Sequence, residues 1–233
     1  MSAGRDHLPG LFIVFEGPDG SGKTTQSQLL LARLLDLGHD AVWTREPGGT
    51  RLGELIREVI LHDSRYSELS PRVEALLLSA ARSQHVEEVI RPALANGKVV
   101  ICDRFMFSTA AYQGAGSGLD LGEIDDLNRF TTGGLLPDAV VLLDVDVELG
   151  IQRKHRYGPG SSGITRMELR GLDFHSRVRR QFLVMAEHGP DLWLVLDGRL
   201  PVEDIGATIW RRIEEELREK SIFPAGSQAG RLV

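Results

Sequence analysis

The stretch LFIVFEGPDGSGKT, Leu11 to Thr24, decides the fold. Its first six residues form a short branched and aromatic run that breaks at Gly17, the pattern of a strand buried on both faces in a parallel sheet. From Thr24 onward Leu29, Leu30, Leu34 and Leu37 fall on one helical face, and Gly38 supplies a left-handed stop. Between strand and helix, Gly17-Pro18-Asp19-Gly20-Ser21-Gly22-Lys23-Thr24 matches the pattern G-x-x-x-x-G-K-[ST]. Glycines let successive N–H groups turn inward around phosphate oxygens, and the helix presents its positive end to the same anion. Lys23 then reaches the terminal phosphates. The Thr24 hydroxyl is placed as a ligand of Mg²⁺, which keeps most of its other ligands as water and phosphate oxygen.

Outward from this unit, strands alternate with helices. Further strands are expected at Ala41 to Arg45, Val99 to Asp103, Ala139 to Asp144 and Trp193 to Asp197. Helical patterns lie near Leu52 to Leu61, Pro71 to Arg91, Phe107 to Gln113, Leu121 to Thr131, Val147 to Arg156, Leu172 to Glu187 and Val202 to Lys220. A glycine-rich loop is expected to follow Gln113 as far as Gly118. Parallel neighbours need a crossover, usually a helix, so the order implies one α/β domain with a five-stranded parallel sheet covered on both faces. The domain is expected over 11–220, between flexible tails at 1–10 and 221–233. Tyr157-Gly158-Pro159-Gly160-Ser161-Ser162-Gly163 is too rich in Gly, Pro and Ser to continue a helix, and reads as part of a lid at about 153–171.

The chain has 233 residues, 42% of them hydrophobic and 26% charged, enough to bury a core. Its formal charge is −6, which argues against broad binding to a nucleic-acid polymer but allows a local basic pocket for a small phosphate ligand. No run of eighteen apolar residues occurs, and the first ten residues lack an apolar targeting core, so a cytoplasmic protein is expected. One cysteine cannot form an internal disulfide, and no Cys/His cluster has zinc-type spacing.

Four motifs resemble those of thymidylate kinases, the enzymes that move the terminal phosphoryl of ATP onto dTMP. They are FEGPDGSGKTTQ from Phe15, TREPGGT from Thr44, CDRFMFSTAAYQG from Cys102, and an arginine-bearing lid from Gln152 to Arg170. The third is the most specific, since Asp103, Arg104, Ser108, Ala111, Tyr112 and Gln113 all match. The resemblance implies a P-loop nucleoside monophosphate kinase fold, ATP as donor, dTMP as acceptor, Mg²⁺ and a homodimer. It places Gly17 to Thr25 around the triphosphate and Arg153 against adenine. Asp103 joins Thr24 near Mg²⁺, and Arg104 with Arg57 binds the acceptor phosphate. Asp19 meets the acceptor's sugar hydroxyl and Glu46-Pro47 forms a sharp turn facing the acceptor. Arg82 reads the base, with Thr109 and Gln113 as further polar partners, and Tyr112 lies beside the sugar. Arg166 resembles the lid arginine that reaches the transferring phosphoryl on closure in the bacterial branch.

Chemistry asks for such a set without the name. Joining two phosphorylated molecules crowds negative charge, so the protein must supply position and cations: a cradle, acceptor arginines and a lid that excludes water. The sequence departs from the family at two places. Leu78, four residues before Arg82 and on the same helical face, replaces the usual stacking Phe, and Arg170 stands where relatives often carry an acid. Simpler readings remain open: Asp103 as a strand-end cap, Arg104 as a bridge to a neighbouring carboxylate, and Asp19 in an Asx-type turn. Competing functions are a kinase for another nucleotide or a deoxynucleoside, and a nucleotide-dependent binding protein.

Overall fold

Strands β1 (Leu11–Glu16), β2 (Ala41–Arg45), β3 (Val99–Asp103), β4 (Ala139–Asp144) and β5 (Trp193–Asp197) occupy the expected positions. In this computed structural model, which describes residues 8–63, 65, 69–157 and 170–224, they form one parallel sheet in the order β2-β3-β1-β4-β5. Alternate side chains leave opposite faces of the sheet, so two cores form. Phe12, Val14, Val100, Cys102, Val140 and Leu142 pack with Phe105, Phe182 and Trp193 on one side. Leu11, Ile13, Phe15, Val99, Ile101, Val141 and Leu143 pack on the other. Helices α1 (Lys23–Asp36) and α9 (Val202–Glu219) cover that second face with Leu30, Leu34, Ile205, Ile209 and Ile213.

Helix α2 (Arg51–Leu61) starts where Thr50 Oγ1 accepts from Gly53 N, and α3 (Pro71–His85) where Ser70 accepts from Val73 N with Pro71 in the first turn. The single helix expected over Pro71 to Arg91 is not regular. After His85 it widens into a π segment, Val86–Ile90, before α4 (Arg91–Ala95). The second correction lies after β3. The helix expected over Phe107 to Gln113 begins at Met106 as α5 (Met106–Thr109) and goes on as π turns over Ala110–Gly116, which take in the first residues read as a loop. Glycine serves close packing here: a Cβ on Gly116 would lie 2.7 Å from the Phe174 ring, and one on Gly114 would lie 2.6 Å from Leu121. The helices α6 (Leu121–Thr132), α7 (Val147–Tyr157) and α8 (Leu172–His188) complete the set.

The packed chain extends slightly beyond the expected 11–220. Gly10 is buried and donates to Leu94 O at 2.9 Å, and Ile222 packs on the α1/α9 core. The centre of the expected lid, 158–169, lies outside the described residues. Strands β2 and β3 lie on one side of β1, β4 and β5 on the other, so the crevice at this reversal opens at the carboxyl ends of β1 and β3.

Helix α7 touches the loop after β1 with no side chain between them. A Cβ on Gly150 would sit 2.4 Å from Asp19 O, and one on Gly20, whose φ is +73°, would sit 2.0 Å from Gly150 O. In a free helix Gly150→Ala would stabilise by about 1 kcal/mol. Here it is expected to lower the melting temperature and to weaken binding of a nucleoside triphosphate by about tenfold or more, because the loop must shift. Thermal unfolding and ligand titration of the variant check both signs.

Candidate active site

Parallel pairing sets Phe15 opposite Asp103, so the loops leaving β1 and β3 begin side by side. Each strand end then reaches into the other's loop. Glu16, fully buried, accepts from Phe105 N at 2.9 Å, Ser108 N at 3.1 Å and Ser108 Oγ at 2.6 Å. Arg104 reaches back: Nη1 donates to Gly17 O at 3.2 Å and Nη2 meets Asp19 Oδ1 at 2.6 Å. Its guanidinium also contacts Ser108 Oγ at 3.1 Å and Tyr112 Oη at 3.3 Å. To make this turn Arg104 adopts φ +72°, a region costly for a residue with a side chain. Burial pushes the Glu16 carboxyl up to about 7, against the pull of Arg104 and its hydrogen bonds. Burial also opposes the charge on Asp19, yet Arg104, Lys154 and Lys23 hold it below the usual carboxylate range.

The glycine loop closes around Lys23, whose Nζ donates to Pro18 O at 2.7 Å and to Ser21 Oγ at 3.3 Å. Burial, with the Arg104 charge nearby, brings its ammonium down to about 7, so an anion in the loop would be a favourable partner. Thr24 donates from Oγ1 to Asp103 Oδ2 at 2.5 Å. Gly22 precedes α1 and Thr25 is exposed on its first turn. On the flank, Arg153 Nη1 donates to Gly198 O at 2.6 Å, where the β5–α9 loop passes the backbone of Ser21.

Across Arg104 from this loop lies a cleft of about 160 Å³, walled by Asp19, Glu46, Arg57, Leu78, Arg82, Arg104, Thr109, Tyr112 and Gln113 among others. The residues expected to meet an acceptor therefore converge from α2, α3 and the segment after β3. Arg57 donates from Nη1 to Pro47 O at 2.9 Å, beyond the cis peptide Glu46-Pro47. Tyr112 packs edge-on against Phe174 and Phe182. Arg82 is largely engaged already: Nε meets Glu46 Oε2 at 2.7 Å, Nη1 meets Asn128 Oδ1 at 2.7 Å, and Nη2 reaches Phe105 O and Thr109 Oγ1 at 3.3 and 2.9 Å. A guanidinium has five N–H groups, so one on Nη1 is left by these contacts.

The alternative reading of Arg104 as a bridge holds in one respect, since Arg104 pairs with Asp19. The pair lies between loop and cleft, with both side chains in contact with the cleft. Glu46 lines the cleft, but its carboxylate is taken up by Arg82 and by His85 Nδ1 at 3.1 Å. Arg166 lies outside the described residues. Sequence reasoning passed over Glu16, Glu74, His85 and Asn128. Only Glu16 carried a signal, a charge ending an otherwise apolar strand; the others are ordinary helical residues until their partners arrive from distant segments.

A phosphate nest at the end of β1, an Asp-Arg pair at the end of β3 and an arginine-rich cleft between them define a P-loop nucleotide kinase. The profile of the family described as thymidylate kinase matches residues 15–209. The chain is 48% identical to a thymidylate kinase of Thermomicrobium roseum over 89% of this chain and 96% of that one. It is 46% identical to one of Clavibacter michiganensis over 95% and 100%. The crystal structure of thymidylate kinase from Ehrlichia chaffeensis superposes with a TM-score of 0.71 at 35% identity, covering 88% of this chain and 98% of that one. The chain belongs to the thymidylate kinase family.

The raised Glu16 carboxyl makes stability depend on pH. Between its unfolded value of 4.5 and about 7 the folded state holds the proton more often, so stability falls as pH rises through that window and levels off above it. Relative to Glu16→Gln, the wild type is expected to lose roughly 3 kcal/mol between pH 4.5 and 7.5, read from urea unfolding of both proteins at each pH.

Proposed function

We propose that the loop and the cleft are the donor and acceptor ends of one reaction, transfer of the terminal phosphoryl of ATP to dTMP to give ADP and dTDP. The observation that carries this is the position of Arg104, which touches the phosphate loop at Gly17 and Asp19 while walling the cleft. Phosphoryl transfer needs little covalent help, so the task is to hold two anions in line and offset their charge. Lys23 and the loop N–H groups take the donor phosphates, Arg104 and Arg57 the acceptor phosphate, and Asp19 the acceptor sugar. Thr109 and Gln113 with Leu78 and Arg82 surround the base, Tyr112 lies beside the sugar, and Arg166 completes the charge from the lid.

The donor set fits Mg²⁺. Thr24 hydroxyl and Asp103 carboxylate already meet at 2.5 Å beside the loop, a small oxygen set of the kind that leaves most positions to phosphate and water. When bound, Mg²⁺ offsets phosphate charge; Thr24 and Asp103 would hold it. The reading extends to a cytoplasmic homodimer. Leu52 and Leu55 on α2 are 43% and 61% exposed, Val73 and Leu76 on α3 are 42% and 52% exposed, and these two helices pack together. Such apolar faces suit a second copy of the chain.

ADP release in a coupled assay is expected to be faster with dTMP than with dUMP, dCMP, dAMP or dGMP; equal rates would remove the thymidylate assignment. Lys23→Ala should lower kcat by about 10²–10³ or more, and Arg104→Ala should lower kcat and kcat/KM for dTMP together. Sedimentation should give a dimer for the wild type and a monomer for the double variant Leu55→Glu, Leu76→Glu.

A further inference from the structure

Glu74 sits on α3, inside the protein, with none of its side chain exposed. One carboxylate oxygen, Oε1, accepts from Gln113 Nε2 at 2.5 Å. The other, Oε2, lies 3.7 Å from Arg170 Nη2, whose guanidinium stacks 4.8 Å over Phe174 and donates to Ser117 Oγ at 3.0 Å. A carboxylate oxygen can only accept, and the Gln113 nitrogen is the atom that faces it. The amide of Gln113 is therefore fixed with its NH₂ toward Glu74. Its carbonyl oxygen, Oε1, takes no hydrogen bond from a described residue, and Gln113 lines the cleft.

Arg82 lines the same wall and keeps one N–H on Nη1 outside its four contacts. One donor and one acceptor at the base end match an edge that offers a carbonyl oxygen next to a ring N–H, as thymine and uracil do. Cytosine presents an amino group and a bare ring nitrogen there, which sets donor against donor and acceptor against acceptor. If the amide of Gln113 were free to turn, its NH₂ would satisfy the ring nitrogen of cytosine and half of this discrimination would disappear.

We propose that Glu74 is a specificity-determining positioning residue: by holding the Gln113 amide in one orientation, it makes the cleft select a pyrimidine with a ring N–H over cytosine. Arg170 supports it by contacting the other carboxylate oxygen at 3.7 Å, which holds the Glu74 side chain in place. This rests on the reading of the cleft as the acceptor site.

The test compares kcat/KM for dTMP, dUMP and dCMP with ATP in the wild type, Glu74→Gln, Gln113→Leu and the exchanged double variant Glu74→Gln, Gln113→Glu. In Glu74→Gln the dTMP to dCMP ratio is expected to fall by about tenfold or more while the dTMP to dUMP ratio stays within twofold, since this amide does not read the methyl group. The exchanged variant should regain the first ratio, because a carboxylate at 113 accepts in either orientation and the amide at 74 donates to it. Equal loss on all three acceptors in Glu74→Gln, or no recovery in the exchanged variant, would overturn the proposal. If Gln113→Leu leaves the dTMP to dCMP ratio unchanged, the acceptor reading of Gln113 fails; if that ratio falls in Gln113→Leu but stands in Glu74→Gln, only the role of Glu74 fails. Should Glu74→Gln not fold, Arg170→Gln at a partly exposed position serves instead: a threefold fall in the ratio supports the proposal and an unchanged ratio overturns it.

Discussion

Everything at the carboxyl edge of the sheet depends on a reciprocal clasp between two neighbouring strands. Glu16 leaves β1 and binds the backbone and hydroxyl of the segment after β3, while Arg104 leaves β3 and binds the backbone and carboxylate of the loop after β1. Neither half is cheap. A carboxylate without exposure is desolvated, and a left-handed arginine costs on the order of 1 kcal/mol or more. The two offset each other, since the carboxylate binds the turn that the arginine strains. The product is a fixed distance between phosphate loop and cleft, and that is what an in-line transfer between two anions requires.

Behind the cleft a second layer of buried polar groups serves orientation more than stability. Arg82 is gripped by Glu46, Asn128 and Thr109, and His85 lies between Glu46 and Thr44, with Nε2 at 2.6 Å from the threonine hydroxyl. Glu46 accepts from His85 Nδ1, and the other ring nitrogen meets the hydroxyl of Thr44, so the imidazole is held at both ends. Apolar packing of equal volume would often be as stable as such buried ionic sets, which makes their retention beside a binding cleft a matter of geometry. Leu78 gives this wall area but no aromatic face, so base recognition leans on hydrogen bonds held in register from behind.

The sheet was legible because each strand reads as a short run with a sharp end, from Leu11 to Glu16 through Trp193 to Asp197, clearest in the central β1, β3 and β4, which are buried almost throughout, while the edge strands β2 and β5 are partly exposed. The phosphate loop and the Asp103-Arg104 pair were legible because their residue types and spacing are local. What stayed hidden is non-local. Glu74 meets Gln113 across 39 positions and Glu46 meets Arg82 across 36, and nothing within a helical turn marks either pairing. The π turns were hidden for another reason: the glycines of Ala110–Gly116 read as loop chemistry, whereas they let this segment press against α6 and α8. Arg170, out of place by family habit, finds its reason only once Glu74 is seen beneath it.

The widened turn at Val86–Ile90 follows directly after His85 in one unbroken helical run from Pro71 to Ala95. A π turn holds one residue more than an α turn, and one residue is worth about 100° of rotation. The amino-terminal half can therefore aim Leu78 and Arg82 at the cleft while the carboxyl-terminal half turns Ile90 and Leu94 onto the sheet, two bearings that a straight rod would not reconcile. Trimming a single amino acid from that wide turn would swing the recognition face off its target and leave the hydrophobic half seated, so the chain would keep its shape and misread its ligand.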